Sequence, residues 1–187
     1  MKTEESIRRT EDKVVCHQIF LQTREMMHFW KSSHGWAPVD AANLLSKSAL
    51  EWQVSLSESL RRWVGCTTDG DLILAWANLG ALVEGQLKLF LSVYYSDYAK
   101  DLDAIRDRKQ NLIDPDVCTL EPLRQFFERR IWTHGKNWNP YVQAVQSRRN
   151  AIHAFKHRQL GTFLGWRKAI RIHLRFIKDI DMSLPYP

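Results

Sequence analysis

Residues that break regular structure are scarce in this chain of 187 residues, which has 8 Gly and 6 Pro. That scarcity argues against collagen-like, low-complexity and turn-rich β architectures. Cysteine is also rare. Cys16, Cys66 and Cys118 are odd in number and far apart, with no CxxC pair, so neither a disulfide framework nor a zinc ribbon is indicated. The longest near-apolar run, 72–83, is interrupted by Asn78. It falls far short of the roughly 20 residues that span a bilayer. The opening stretch, MKTEESIRRTEDK, is charged throughout and lacks the apolar segment of a signal peptide. A cytoplasmic protein with no membrane partner is the expectation.

What the chain does contain is enough apolar material, 44%, for a sizeable core. One domain over 1–187 is expected at this length. The net charge of +6 is unevenly spread. Between Pro122 and Lys178 stand thirteen Lys and Arg against one acid, Glu128, a net +12, so the rest carries −6. Such a segment is either a solvated basic face or a surface built for an anion.

Apolar residues recur at helical spacing in almost every segment, and no stretch alternates at period two. Helices are expected over 11–31, 43–64, 71–101, a short stretch after Thr119, 141–158 and 163–181. The second would bury a seam of Leu45, Ala49, Trp52, Leu56, Leu60 and Trp63. Asp69 or Asp71 would cap the third, and Asn139-Pro140 would open the fifth. The expected fold class is all-α, an up-and-down helical bundle of about five to six helices.

Two helices carry a charge where their pattern calls for an apolar residue. The stripe Ile73, Ala77, Gly80, Glu84, Leu87, Leu91 and Tyr94 is interrupted by Glu84, with small residues beside it that let another backbone approach. The stripe Tyr141, Val145, Arg148, Ile152 and Phe155 is interrupted by Arg148. Buried charges must be paired and hydrogen-bonded. Glu84 and Arg148 therefore either satisfy each other or line a cleft.

The densest chemistry follows Arg148: Arg149, Asn150, His153, Lys156 and His157. An imidazole can move protons near neutral pH, and guanidinium groups bind phosphate bidentately and stabilise charge developing on it. Together these groups suit attack of an RNA 2′-hydroxyl on the adjacent phosphodiester, with no metal or cofactor required. On one regular helix, however, Arg148 and His153 lie about 140° apart. A long Arg reaching round, a distorted helix or a second protomer would be needed to unite them.

The run Arg148 to His153 resembles the R-x4-6-H motif of the HEPN superfamily, small helical-bundle proteins, on the penultimate helix expected here. The resemblance covers about 43–187, with 11–31 as an added helix. It implies a metal-independent endoribonuclease of toxin–antitoxin or antiphage systems, working as a homodimer with a composite site and open to an antitoxin or regulatory partner. Arg148 and His153 would be catalytic, with Arg149, Asn150 and Glu84 supporting them. Arg149 stands where the family often has Asn, Asp or His, and Asn150 would fill that role one residue late. Phe155 replaces the Tyr through which one subgroup is silenced. RNA contacts would come from Lys156, His157, Arg158, Arg167, Lys168, Arg171 and Arg175, with Trp138 either a stacking platform or a hydrophobic staple.

Two other readings compete. His153 and His157, at i and i+4, could hold a metal with His173 or Glu84, although the neighbouring cations oppose it. A non-catalytic HEPN-like module would instead use the basic face to bind nucleic acid or protein, with steeply salt-dependent affinity.

Overall fold

Helical periodicity governs the whole chain, and the computed structural model, which describes residues 4–153 and 158–187, is a helical bundle. Among the described residues there are eight α-helices: α1 (Glu4–Lys31), α2 (Val39–Lys47), α3 (Leu50–Trp63), α4 (Asp69–Val93), α5 (Tyr95–Lys100), α6 (Leu120–Arg130), α7 (Asn139–Arg149) and α8 (Phe163–Met182). Short 3₁₀ turns occupy Pro115–Val117, Trp132–His134 and Asn150–His153. None of the described helices is long and apolar enough to cross a membrane.

The helix count exceeds the expected five to six because two expected helices are each divided. The first break falls at Ser48, whose hydroxyl donates to the Leu44 carbonyl at 2.9 Å while its N–H donates to Leu45. Such local bonds compete with the helical ladder. The break rotates the following helix. Ala49 and Trp52, expected on the seam, are exposed, Trp52 by 73%, while Leu50, Ser57 and Leu60 are buried. The second interruption is at Tyr94, where α4 gives way to the short α5. Thr68, not Asp69 or Asp71, caps α4, its hydroxyl accepting from the Asp71 N–H at 3.2 Å. α7 begins at Asn139 itself, and the Asn137 side chain accepts the Asn139 N–H at 2.9 Å.

The centre of the bundle is α4, which packs on α2, α3, α6, α7 and α8. Its buried residues lie on almost every side, from Leu72, Trp76, Leu79 and Val83 to Ala75, Leu82 and Leu89. A helix apolar all round belongs in a core. α8 runs parallel to α4: the Trp166 indole donates to the Ala75 carbonyl at 3.1 Å, and the Tyr94 hydroxyl donates to Ser183 at 2.7 Å. α1 is parallel to α8 as well, joined by Arg171 to Asp12 and by Gln22 to Asp181. α7 is antiparallel to α8. Trp138, either a stacking platform or a staple from the sequence, donates its indole N–H to Asp179 at 3.2 Å and packs on Phe176 and Tyr141. It is a wall of the core.

Candidate functional site

Residues 148–153 straddle the end of α7. The helix stops at Arg149, Asn150 caps it, and the chain tightens into the 3₁₀ turn Asn150–His153. Ala151 is buried beneath that turn, while Ile152 and His153 are exposed.

Arg148, in the last turn of α7, is half-buried. Its guanidinium lies 4.9 Å from the centroid of the Trp76 ring on α4 and donates to the Ala144 carbonyl at 3.2 Å. Gly161 lies close by in a left-handed conformation, φ +74°, and a Cβ there would stand 3.4 Å from Arg148 Nε. No carboxylate pairs with Arg148 among the described residues. The positive charge is held by a π face and one carbonyl.

Glu84 meets the neighbouring arginine. Arg149 Nη1 donates to Glu84 Oε2 at 2.6 Å, and Lys88 lies 3.0 Å from the other carboxylate oxygen. The expected pair of Glu84 with Arg148 is thus corrected by one residue, or about 100° of helix. That rotation aims Arg149 at the Gly80–Glu84 turn of α4 and leaves Arg148 facing Trp76. Burial pushes the Glu84 carboxyl up, but hydrogen bonds and positive charge from Arg149 and Lys88 outweigh it, so its pKa falls below the ordinary value.

Gly80 makes this approach possible. A Cβ built there would lie 2.5 Å from Arg149 Cδ and 2.8 Å from its Cβ, the latter fixed to the helix backbone. Gly80→Ala should therefore destabilise the protein by about 1–3 kcal/mol, as overpacking does. A lowered urea midpoint with an unchanged slope would show it.

The structure divides the remaining site residues. No hydrogen bond, ion pair or ring contact joins His153 to Arg148 among the described residues. Lys156 and His157, the expected RNA contacts, and Phe155 lie outside the described residues. Arg158, Lys168 and Arg175 are exposed with no ion pair among the described residues. Arg167 and Arg171, expected as free RNA contacts, instead face α1. Arg171 Nε donates to Asp12 Oδ1 at 2.9 Å, and its Nη2 lies 3.3 Å from Glu11. Arg167 Nε is 3.6 Å from the second Asp12 oxygen. The bond to Asp12 raises the Arg171 pKa.

Much of the basic segment is compensated in the same way. Arg124 binds Glu121 and Glu128, Arg129 and Arg130 reach Asp103 and Asp101, and Lys136 binds Asp179. The acidic part of the chain folds back onto the basic part. Among the described residues no group of three or more His, Cys, Asp or Glu is placed to hold a metal. His173, offered with Glu84 as the third ligand of the metal reading, is fully buried against the Tyr141 and Phe176 rings, its two nitrogens without a hydrogen-bond partner among the described residues.

Two residues of the site escaped the sequence reading. Trp76, the seat of Arg148, left no signal, since an aromatic on an apolar helix reads as core. Asp12 did leave one: it lies on the stripe continued by Val15, Ile19, Met26 and Trp30, a charge among apolar residues like Glu84 and Arg148. Compared with protein-family models, curated proteins and solved structures, the chain matches none.

Proposed function

We propose that this protein is an HEPN-like, metal-independent endoribonuclease of a toxin–antitoxin or antiphage setting, acting as a homodimer. The observation that carries this reading is Arg148, a half-buried guanidinium without a carboxylate partner among the described residues, in the same helix end as the exposed His153. Arg149, next to it, is already neutralised by Glu84. Arg148 is therefore the cation of the motif available to a phosphate.

In this mechanism an imidazole removes the proton of a ribose 2′-hydroxyl, and the 2′-oxygen attacks the adjacent phosphorus. The bond to the 5′-oxygen breaks, that oxygen takes up a proton, and a 2′,3′-cyclic phosphate and a 5′-hydroxyl result. Arg148 stabilises the charge on the phosphorane-like transition state. Asn150 positions the strand, and Arg149, paired with Glu84, fixes the end of α7 against α4. In the composite site that the resemblance implies, the base of one copy and the guanidinium of the other act on one phosphate. Antitoxin or regulatory partners belong to the same proposal.

That no contact joins His153 to Arg148 among the described residues favours a second reading, a nucleic-acid- or protein-binding module without turnover. Incubating the purified protein with mixed RNA in EDTA separates the two. Fragments ending in cyclic phosphate support the nuclease. RNA that is retained but intact leaves the binding module, and RNA neither cut nor retained removes both nucleic-acid readings.

A further inference from the structure

The first three turns of α1 are attached to the bundle in an unusual way. Between Glu4 and Val15 the one buried residue is a carboxylate, Asp12, at 2% exposure. From Cys16 onwards the helix is anchored by buried apolar side chains: Cys16, Ile19, Met26, Met27 and Trp30. The N-terminal turns have no such anchor, since Ile7 and Val14 are about half exposed. What holds them to α8 is charge.

That charge lines both walls of a groove of about 710 Å³ between α1 and α8. The α8 wall carries Arg167, Lys168 and Arg171, and the α1 wall carries Glu4, Glu11 and Asp12. Arg171 gives Asp12 two contacts, Nε at 2.9 Å and Nη2 at 2.8 Å, to one carboxylate oxygen, and Arg167 approaches the other. Two guanidinium groups converging on the two oxygens of one anion form the arrangement that also grips a phosphodiester. Lys168 stands beside them with no ion pair among the described residues. The exposed cations Arg175 and Lys178 continue along the same helix.

We propose that Arg167 and Arg171 form a second phosphodiester-binding site, masked in the free protein by Asp12 and Glu11 of α1, and that an RNA strand displaces the N-terminal turns of α1 to reach it. The site rests on the RNA reading above but not on catalysis. It lies along the outer length of α8, where it would hold strand flanking the phosphate at Arg148. Exchange of one anion for another keeps the two guanidiniums compensated, and the apolar seam from Cys16 onwards keeps α1 attached.

The test measures binding of a labelled, single-stranded 2′-O-methyl RNA, which cannot be cleaved through its 2′-oxygen, across a salt series. Asp12→Asn should bind more tightly than the wild type. The wild-type complex, with α1 displaced, holds the same two phosphate contacts, so the two slopes of log K against log salt should agree. Arg167→Ala with Arg171→Ala should instead make the slope shallower by about 1.4, at about 0.7 per contact for a single strand. Adding Arg167→Ala and Arg171→Ala to Asp12→Asn should abolish that gain. An Asp12→Asn affinity equal to that of the wild type, with only a lower melting temperature, overturns the masked site while leaving the RNA reading intact. Absence of binding by both proteins overturns the two together. Should Asp12→Asn fail to fold, hydrogen exchange on the wild type decides. Faster exchange of the amides of residues 4–15 on adding the oligonucleotide supports displacement, and unchanged or slower exchange overturns it.

Discussion

Arg148→Ala should lower the rate of RNA cleavage by at least about a hundredfold, the loss typical when a donor to a developing anionic charge is removed. The fold should survive. The guanidinium rests on the Trp76 ring, a contact worth about 0.5–2 kcal/mol, against a total stability of about 5–15 kcal/mol for an ordinary domain. His153→Ala should lose about 10²–10⁴ in rate, as removal of a general base does. Its melting temperature should hardly move, since the side chain is exposed. Arg148→Lys separates geometry from charge: an ammonium keeps the charge but not the planar fork, so little activity should return. Initial rates in EDTA beside melting curves give the answer. Cleavage within a few-fold of wild type in either alanine variant would reject the assignment, as would an Arg148→Ala protein that no longer folds.

Acid lability is the second large effect, and its source is His173. Burial alone holds this imidazole neutral in the folded protein, lowering its pKa from 6.5 to about 3. The unfolded chain binds the proton below about pH 6.5, whereas the native state does not until about pH 3. Stability attributable to His173 is therefore complete above pH 6.5 and is lost progressively as the pH falls towards 3. At about 1.4 kcal/mol per pH unit, this costs about 3 kcal/mol between pH 6.5 and 4.5 and about 5 kcal/mol by pH 3. The carboxylates held low by arginine, Glu84 and Glu121, add to the loss only below their ordinary value of 4.5. The window from 6.5 to 4.5 thus separates His173 from them. His173→Leu should flatten the urea midpoint across that window. A wild-type midpoint that does not fall there would show that the site admits the proton without penalty.

Periodicity in the sequence was sufficient for the helices that bury one face. The stripe Ile19, Met26 and Trp30 on α1 and the stripe Trp166, Ile170 and Ile177 on α8 are buried as their spacing predicts. It was misleading where local hydrogen bonding overrode the pattern. Ser48 stops a helix whose apolar spacing runs on unbroken, and Trp52 turns outward as a result. On α4 the stripe through Glu84 was one of several, because a helix buried on nearly all sides has no preferred face to read. The charge rule found real polar sites at Glu84 and Arg148, yet it could not choose between Arg148 and Arg149 as the partner. Adjacent residues differ by about 100° on a helix, and which of them meets Glu84 depends on how α7 crosses α4. The summed charge was similarly incomplete. A net +12 is a property of a segment, whereas exposure of that charge depends on where Asp12, Glu84, Asp101 and Asp103 come to rest.

The side-by-side packing of α1 and α8 also governs how the molecule is assembled. Asp12 with Arg171, and Gln22 with Asp181, are partners 159 positions apart. As the chain is synthesised, α1 emerges with Ile19, Met26 and Trp30 uncovered, and α8 arrives only after the other seven described helices. Closing such distant pairs slows folding, and exposed apolar helix faces are the surfaces on which unfinished chains associate. A ribosome that stalls before Phe163 would release a product with open faces on both α1 and α4. Production of intact protein should therefore depend on α8 more than its length suggests.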